Sequence, residues 1–202
     1  MTDLVLRKYE KSLRAIFEAF AFGTGAIGDA CKTVKMMDFD EYMDFVGVVD
    51  VVDDYLTLRE IRLAFLWARM VVIAENTLKG RSKTTQLQFE DWLEILVRLA
   101  HQMALPTDAE ISDAGLAHAG EFLMALRTQP DTEDAFKQAR SRNMDQTPDQ
   151  PIEQKVKHLI HWIMYAVRGG HGSPQEQVSV KEASKFAKGT RFGQNLPALG
   201  PM

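Results

Sequence analysis

Apolar residues return every three or four positions along most of this chain, and this spacing limits the fold more than any other feature of the sequence. Leu13, Ile16, Phe17 and Phe20 show it in its simplest form, since they fall on one face of a helix. No segment shows the alternation of apolar and polar residues that marks a half-buried strand, so we predict an all-α fold. The spacing predicts helices over residues 9–20, 39–46, 57–73, 89–103, 107–126, 132–140 and 152–167.

Composition excludes several functional classes. The chain of 202 residues is 46% hydrophobic, which is enough for a packed core. A net charge of -4 argues against a nucleic-acid binder, which needs a basic surplus to replace counterions. The most apolar stretch, residues 61–74, carries two arginines and is too short for a membrane span. Cys31 has no cysteine partner in the sequence, so we expect a reducing compartment, the cytoplasm.

The predicted helices divide the chain into three parts. Residues 1–104 hold two helix–loop–helix units, and residues 105–170 form a helical layer that packs on them. Residues 171–202 are rich in Gly, Ser, Gln, Lys and Pro, a composition that buries little apolar surface. We therefore predict an extended tail that becomes ordered only on a partner.

This tail holds the first candidate binding site. From Gly169 onward four basic residues stand against two acidic ones, and the basic residues follow one another at near-helical intervals. We predict a docking arm for the acidic surface of another subunit. A solvated tail whose charges only keep the protein soluble is the alternative. The candidate residues are Lys181, Lys185, Phe186, Lys188, Arg191 and Phe192.

A second candidate site lies on the last predicted helix. His161, Trp162 and Tyr165 fall opposite its apolar stripe, and His158 is three residues before His161. A zinc site would need three or four ligands, and the cysteine is far away in the sequence. We therefore predict a polar, aromatic outer face that contacts a partner, because interfaces are enriched in Trp and Tyr.

Two segments repeat one pattern of residues at the start of a helix. The order is an apolar residue, a polar one, Phe, two acids and an aromatic, and it resembles the second half of an EF-hand. The resemblance implies that loop position 8 pairs the two units and that an acid at position 12 closes each loop. Met37 and Leu87 then stand at position 8, and Glu41 and Asp91 at position 12. The segments are Met37-Asp38-Phe39-Asp40-Glu41-Tyr42 and Leu87-Gln88-Phe89-Glu90-Asp91-Trp92.

The same register argues against calcium. A calcium loop takes oxygen ligands at positions 1, 3 and 5. Lys32 would place a cation where the metal should lie, and Asp91 is one methylene shorter than the usual glutamate. We therefore predict a paired scaffold without a metal or another cofactor. The residues at these positions are Ala30, Lys32 and Val34 in the first unit and Gly80, Ser82 and Thr84 in the second.

Further motifs resemble the tubulin polymerization-promoting protein family. They are Phe20-Ala21-Phe22-Gly23, Lys35-Met36, Leu56-Thr57 and the segment over residues 87–92. The resemblance implies an EF-hand-like helical core that acts on microtubules. It also implies a cytoskeletal or axonemal setting, in a cilium or flagellum, with tubulin or axonemal proteins as partners.

Signals for catalysis are weak. The segment over residues 23–28 has the glycine spacing of a dinucleotide-binding loop, but a helix precedes it where that loop needs a strand. No nucleophile elbow or phosphate-binding loop is visible. We predict a non-catalytic scaffold that binds other protein subunits. A calcium-responsive regulator is the alternative, since ten methionines suit an adaptable groove, and an enzyme without a recognisable motif comes third.

Overall fold

The computed structural model of the chain describes residues 2–22, 35–69, 85–173 and 176–191. Within these ranges the chain forms nine helices and no strand, which confirms the all-α class. None of the described helices is long and apolar enough to cross a membrane. The helices are α1 (Thr2–Phe20), α2 (Phe39–Val49), α3 (Leu58–Trp67), α4 (Phe89–Gln102), α5 (Asp108–Asp113), α6 (Ala119–Arg127), α7 (Pro130–Arg140), α8 (Ile152–Val167) and α9 (Val180–Arg191).

The helix predicted over residues 107–126 is two helices in the structure. α5 ends before Gly115, whose φ of 69° lies in the left-handed region that favours glycine. The N–H of Leu116 donates to the carbonyl of Ile111 over 3.0 Å, as in a Schellman cap. α6 then starts from His118 as its N-cap. Apolar spacing conceals this break because apolar residues on both sides of it, Ile111 and Leu123, are buried.

α8 lies at the centre of the described structure. It packs against α1, α2, α4, α6 and α9, and nine of its sixteen residues are buried. Trp162 donates its indole N–H to the carbonyl of Val49, at the end of α2, over 2.9 Å. Residues from all three predicted parts of the chain contribute to one hydrophobic core around this helix.

The prediction of an extended tail is wrong for residues 180–191, which form α9. Ala183 and Ala187 are buried, and α9 packs mainly on α1. The N–H of Val178 donates to the hydroxyl oxygen of Ser12 in α1 over 3.0 Å, which fixes the chain just before the helix. Small side chains are enough here because they let two helices approach closely. Residues 192–202 lie outside the described part of the chain.

The two repeated segments meet through an isolated antiparallel bridge between Met37 and Leu87. The N–H of Met37 donates to the carbonyl of Leu87 over 2.9 Å, and the N–H of Leu87 donates in return over 2.7 Å. Both side chains are fully buried. The bridge therefore joins the segment before α2 to the segment before α4.

The crossing of α6 and α8 depends on a glycine. A Cβ atom added at Gly120 would lie 2.6 Å from Cβ of Tyr165 and 2.8 Å from its Cγ. Gly120→Ala must therefore push α6 away from α8. We expect the free energy of unfolding, measured by urea denaturation, to fall by about 1–3 kcal/mol.

Gly47 in α2 provides the matched control. A Cβ atom added there meets nothing within 4 Å, and alanine is favoured over glycine inside a helix. Gly47→Ala should therefore raise the free energy of unfolding by about 0.5–1 kcal/mol. If Gly120→Ala were as stable as the unmodified chain, α6 and α8 would not approach as closely as described.

Candidate functional site

The strongest candidate site is the outer side of α9. Lys181, Lys185 and Lys188 are all exposed, and their spacing of four and three residues places them on one side of the helix. Ala183 and Ala187 lie on the opposite side, buried against the rest of the protein. We call the three lysines the basic face.

The charges of the basic face are not neutralised within the described part of the chain. None of its three amines forms an ion pair there. Other cations do: Lys157 lies 2.6 Å from a carboxylate oxygen of Asp108, and Lys137 contacts two carboxylates. Glu182, the acid of the same helix, lies toward Arg168. The basic face therefore projects a local positive field from a protein with a net charge of -4.

The rest of the predicted docking arm does not add to this face. Phe186 is an inner residue, because its ring meets that of Phe20 edge-on with the centroids 6.3 Å apart. For Arg191 the structure describes only the helical backbone, and Phe192 lies outside the described residues. The candidate site is thus an ordered row of three lysines on a folded helix.

The prediction of an exposed aromatic face on α8 is wrong. Trp162 is only 2% exposed. His161 shares a hydrogen bond of 2.8 Å with the hydroxyl of Tyr9 in α1. Tyr165 contacts the ring of His118 at the start of α6, with the centroids 5.4 Å apart. Helices α1, α2 and α6 cover this side of α8, so these residues hold helices together within the protein.

Glu41 and Asp91, at position 12 of the EF-hand register, act as helix caps. The two carboxylate oxygens of Glu41 accept hydrogen bonds from the backbone N–H groups of Asp38 and Phe22, each over 2.9 Å. One oxygen of Asp91 accepts from the N–H of Gln88 over 2.9 Å. Within the described ranges no group of three or more His, Cys, Asp or Glu residues is placed to hold a metal ion.

The remaining predictions concern the loops that follow α1 and α3. The glycine segment over residues 23–28 and the loop ligand positions at residues 30, 32, 34, 80, 82 and 84 all lie outside the described residues. Cys31 does too. The absence of calcium ligands therefore stays a prediction from the sequence.

A cluster of ion pairs around the buried Lys155 also holds α8 in place. Lys155 is fully buried, and its amine lies 3.0 Å from one oxygen of Asp149, whose other oxygen accepts from Arg140 over 2.9 Å. Burial lowers the pKa of Lys155, and the hydrogen bond to Asp149 opposes this shift. Burial acts to raise the pKa of Asp149, but the hydrogen bonds from Lys155 and Arg140 outweigh it and lower that pKa. Arg140 also pairs with Glu110 over 2.5 Å, so each charge faces an opposite one, which suits a structural role.

Sequence analysis missed a contact among three histidines. The ring of His161 lies 6.2 Å, between centroids, from those of both His158 and His118. His158 could be found because it shares a helix with His161. No local signal linked His118 to them, since helix packing alone brings the start of α6 to α8.

Asp149→Asn tests the ion cluster. The substitution leaves the amine of Lys155 buried opposite a neutral side chain, so the free energy of unfolding at neutral pH should fall by about 3–5 kcal/mol in urea denaturation. Adding Lys155→Met should recover much of the loss, because it removes the uncompensated charge and keeps a long side chain. A double variant no more stable than Asp149→Asn alone would contradict this account.

No protein-family model, curated protein or solved structure matches this chain. The resemblance to the tubulin polymerization-promoting protein family therefore rests on the motifs that carry it. The function proposed below rests on the geometry of the described residues, and chiefly on the basic face of α9.

Proposed function

We propose that this protein is a non-catalytic scaffold that binds the acidic surface of another protein subunit through the basic face of α9. The observation that carries this proposal is the row formed by Lys181, Lys185 and Lys188 on a folded helix, exposed and without an ion-pair partner among the described residues. Three like charges on one side of a helix repel one another, and an acidic partner would relieve that repulsion.

The fold of α9 favours this use of the lysines. The helix is already formed and held to α1 by Ala183, Ala187 and the Val178–Ser12 hydrogen bond. A partner therefore meets positions fixed in advance and does not bear the entropy of ordering a free tail. Because the amines are exposed, their attraction should speed association and weaken as salt is added.

The remainder of the fold fits a supporting framework. We propose that α1 to α4 belong to a degenerate EF-hand-like pair, in which the bridge between Met37 and Leu87 joins the two units. α8 packs against α1, α2 and α4 together. In this proposal α8 fills the groove that a target helix would bind in a calcium-responsive pair.

The occupied groove argues against the calcium-responsive alternative. A regulator of that kind exposes a methionine-rich surface when the ion binds. In this protein Met37, Met103 and Met164 are buried in the core that includes α8, while Met124 is 41% exposed. The position-12 acid of the first unit, Glu41, already has both oxygens in hydrogen bonds to the backbone.

The proposed setting is the cytoplasm, and within it the cytoskeleton or the axoneme of a cilium. Two features support it: the motifs shared with the tubulin polymerization-promoting protein family, and a basic face suited to an acidic partner such as tubulin. The alternative roles, a calcium-responsive regulator or an enzyme, have no comparable feature among the described residues.

Microtubule co-sedimentation tests the basic face. The 202-residue chain should pellet with microtubules, and Lys181→Glu, Lys185→Glu and Lys188→Glu together should weaken binding at least about tenfold, since each exposed ion pair contributes up to about 1 kcal/mol. The triple Lys→Arg variant keeps the charge and should bind like the unmodified protein. Failure of the unmodified protein to pellet would contradict tubulin as the partner.

A single-charge comparison controls for net charge. Lys185→Glu and Arg62→Glu change the charge equally, and both side chains are exposed, but Arg62 lies on α3. Only Lys185→Glu should weaken binding noticeably. Equal losses for both variants would mean that overall charge, and not the basic face, governs the interaction.

Calcium addition tests the alternative. Millimolar calcium should leave the melting temperature and the tryptophan fluorescence of the 202-residue chain unchanged. Glu41→Gln should lower the free energy of unfolding by about 1 kcal/mol, because it weakens the cap of α2, and equally with and without calcium. A saturable shift with calcium that Glu41→Gln abolishes would overturn the scaffold proposal.

A further inference from the structure

Three histidines form a buried row where α1, α6 and α8 meet. His158 and His161 lie one turn apart on α8, and His118 caps the start of α6. The ring of His161 lies between the other two, 6.2 Å from each by ring centroids. His118 is 3% exposed and His158 is 1% exposed. Three imidazoles therefore share one enclosed space between helices.

The row is built for neutral rings. Nδ1 of His118 accepts a hydrogen bond from the backbone N–H of Glu121, so this nitrogen is unprotonated and a second proton would break the helix cap. Nε2 of His161 shares its hydrogen bond with Tyr9. The remaining ring nitrogens, namely Nε2 of His118, Nδ1 of His161 and both nitrogens of His158, are buried without a hydrogen-bond partner in the described structure.

Few counter-charges face the row from the helices around it. Asp108 of α5 lies 3.4 Å from Nε2 of His158, but the amine of Lys157 already contacts both of its oxygens over 2.6 and 2.8 Å. Glu121 of α6 lies 3.7 Å from Nε2 of His118, and its other oxygen accepts from the backbone N–H of Ala117. The hydroxyl of Tyr9 from α1 and the ring of Tyr165 from α8 also contact the row.

Nearby cations make protonation of His158 and His161 still less favourable. Burial lowers the pKa of His161 to about 3, and the charges of His158, Lys157, His118 and Lys8 of α1 act in the same direction. Burial also lowers the pKa of His158 to about 4, together with Lys157 and against the opposing effect of Asp108.

We propose that His158 and His161, packed against the ring of His118, form an acid-sensitive lock, which holds α1 and α6 on α8 while both rings are neutral and opens when they take up protons. In the open or unfolded protein, the rings meet water and take up protons near pH 6.5. The open form thus binds more protons than the closed form below that pH, and acid favours it. Each depressed histidine contributes up to about tenfold per pH unit to the opening equilibrium.

The lock predicts a loss of stability well above the range in which carboxylates titrate. Between pH 7.5 and pH 5.0 each of His158 and His161 should raise the equilibrium constant of unfolding roughly 30-fold, giving several hundredfold together. Asp108, Glu110 and Asp149 have lowered pKa values, so their contributions are lost only below about pH 4. His101 of α4, whose pKa burial and Lys155 also lower, adds a background to the same interval.

Urea denaturation of the full chain at pH 7.5 and pH 5.0 separates these contributions. His158→Leu removes a ring whose nitrogens have no partner, so the variant should fold, and its acid-induced rise in unfolding should be roughly 30-fold smaller than that of the unmodified protein. His171→Gln alters an exposed histidine outside the row and should leave the rise unchanged. An equal rise in the His158→Leu variant would overturn the lock.

Two measurements on the unmodified protein test the lock without a variant. Nuclear magnetic resonance of the ring carbons should show His158 and His161 still neutral at pH 5.5. Hydrogen exchange, corrected for its intrinsic pH dependence, should show α6 and the facing part of α8 opening between pH 6.5 and 5.5 while α3 stays protected. Protonation of both rings near pH 6.5 without any added exchange would overturn the proposal.

Discussion

The burial of α8 is the constraint on which the rest of this structure depends. A helix at a protein surface needs one apolar stripe, but α8 meets α1, α2, α4, α6 and α9 and is covered on most of its circumference. Three of its polar residues find partners inside the protein. Trp162 finds the carbonyl of Val49, Lys155 finds Asp149, and His161 finds Tyr9. These polar contacts set the positions of the helices around α8, because a misplaced neighbour would leave a buried polar group unpaired.

Local features of the sequence predicted the helices, and non-local packing decided what their faces do. Apolar spacing located most helices because that signal lies within a few turns of one segment. It failed for α9, where a composition rich in Gly, Ser, Gln, Lys and Pro predicted little buried surface, since the burial of Ala183 and Ala187 depends on α1. It also failed for the polar side of α8, where His158 and Lys155 resemble solvated residues and are buried only because other helices cover them. The lysines of the candidate site were found for the same reason as the helices: their spacing is local.

The two repeated segments use the same residues in the same way at the start of two helices. Met37 and Leu87 pair through their backbones. Glu41 and Asp91 follow at the start of α2 and α4, and their oxygens accept from backbone N–H groups. A carboxylate used as a cap stabilises the helix whether or not an ion is present. This arrangement suits a framework whose shape is constant.

The protein separates two kinds of cationic residue, and their surroundings decide what each can do. The lysines of the basic face are exposed, and Lys181 and Lys188 are separated by about 10 Å along the helix at 1.5 Å per residue. That span is close to the screening length of about 8 Å at physiological salt, so an approaching acidic surface meets the three charges nearly as one. His158 and His161 of the buried row are desolvated, so any charge they gain acts on the packing between helices. In the two proposals, attraction for a partner depends on the outer helix, and sensitivity to acid depends on the contacts of the central one.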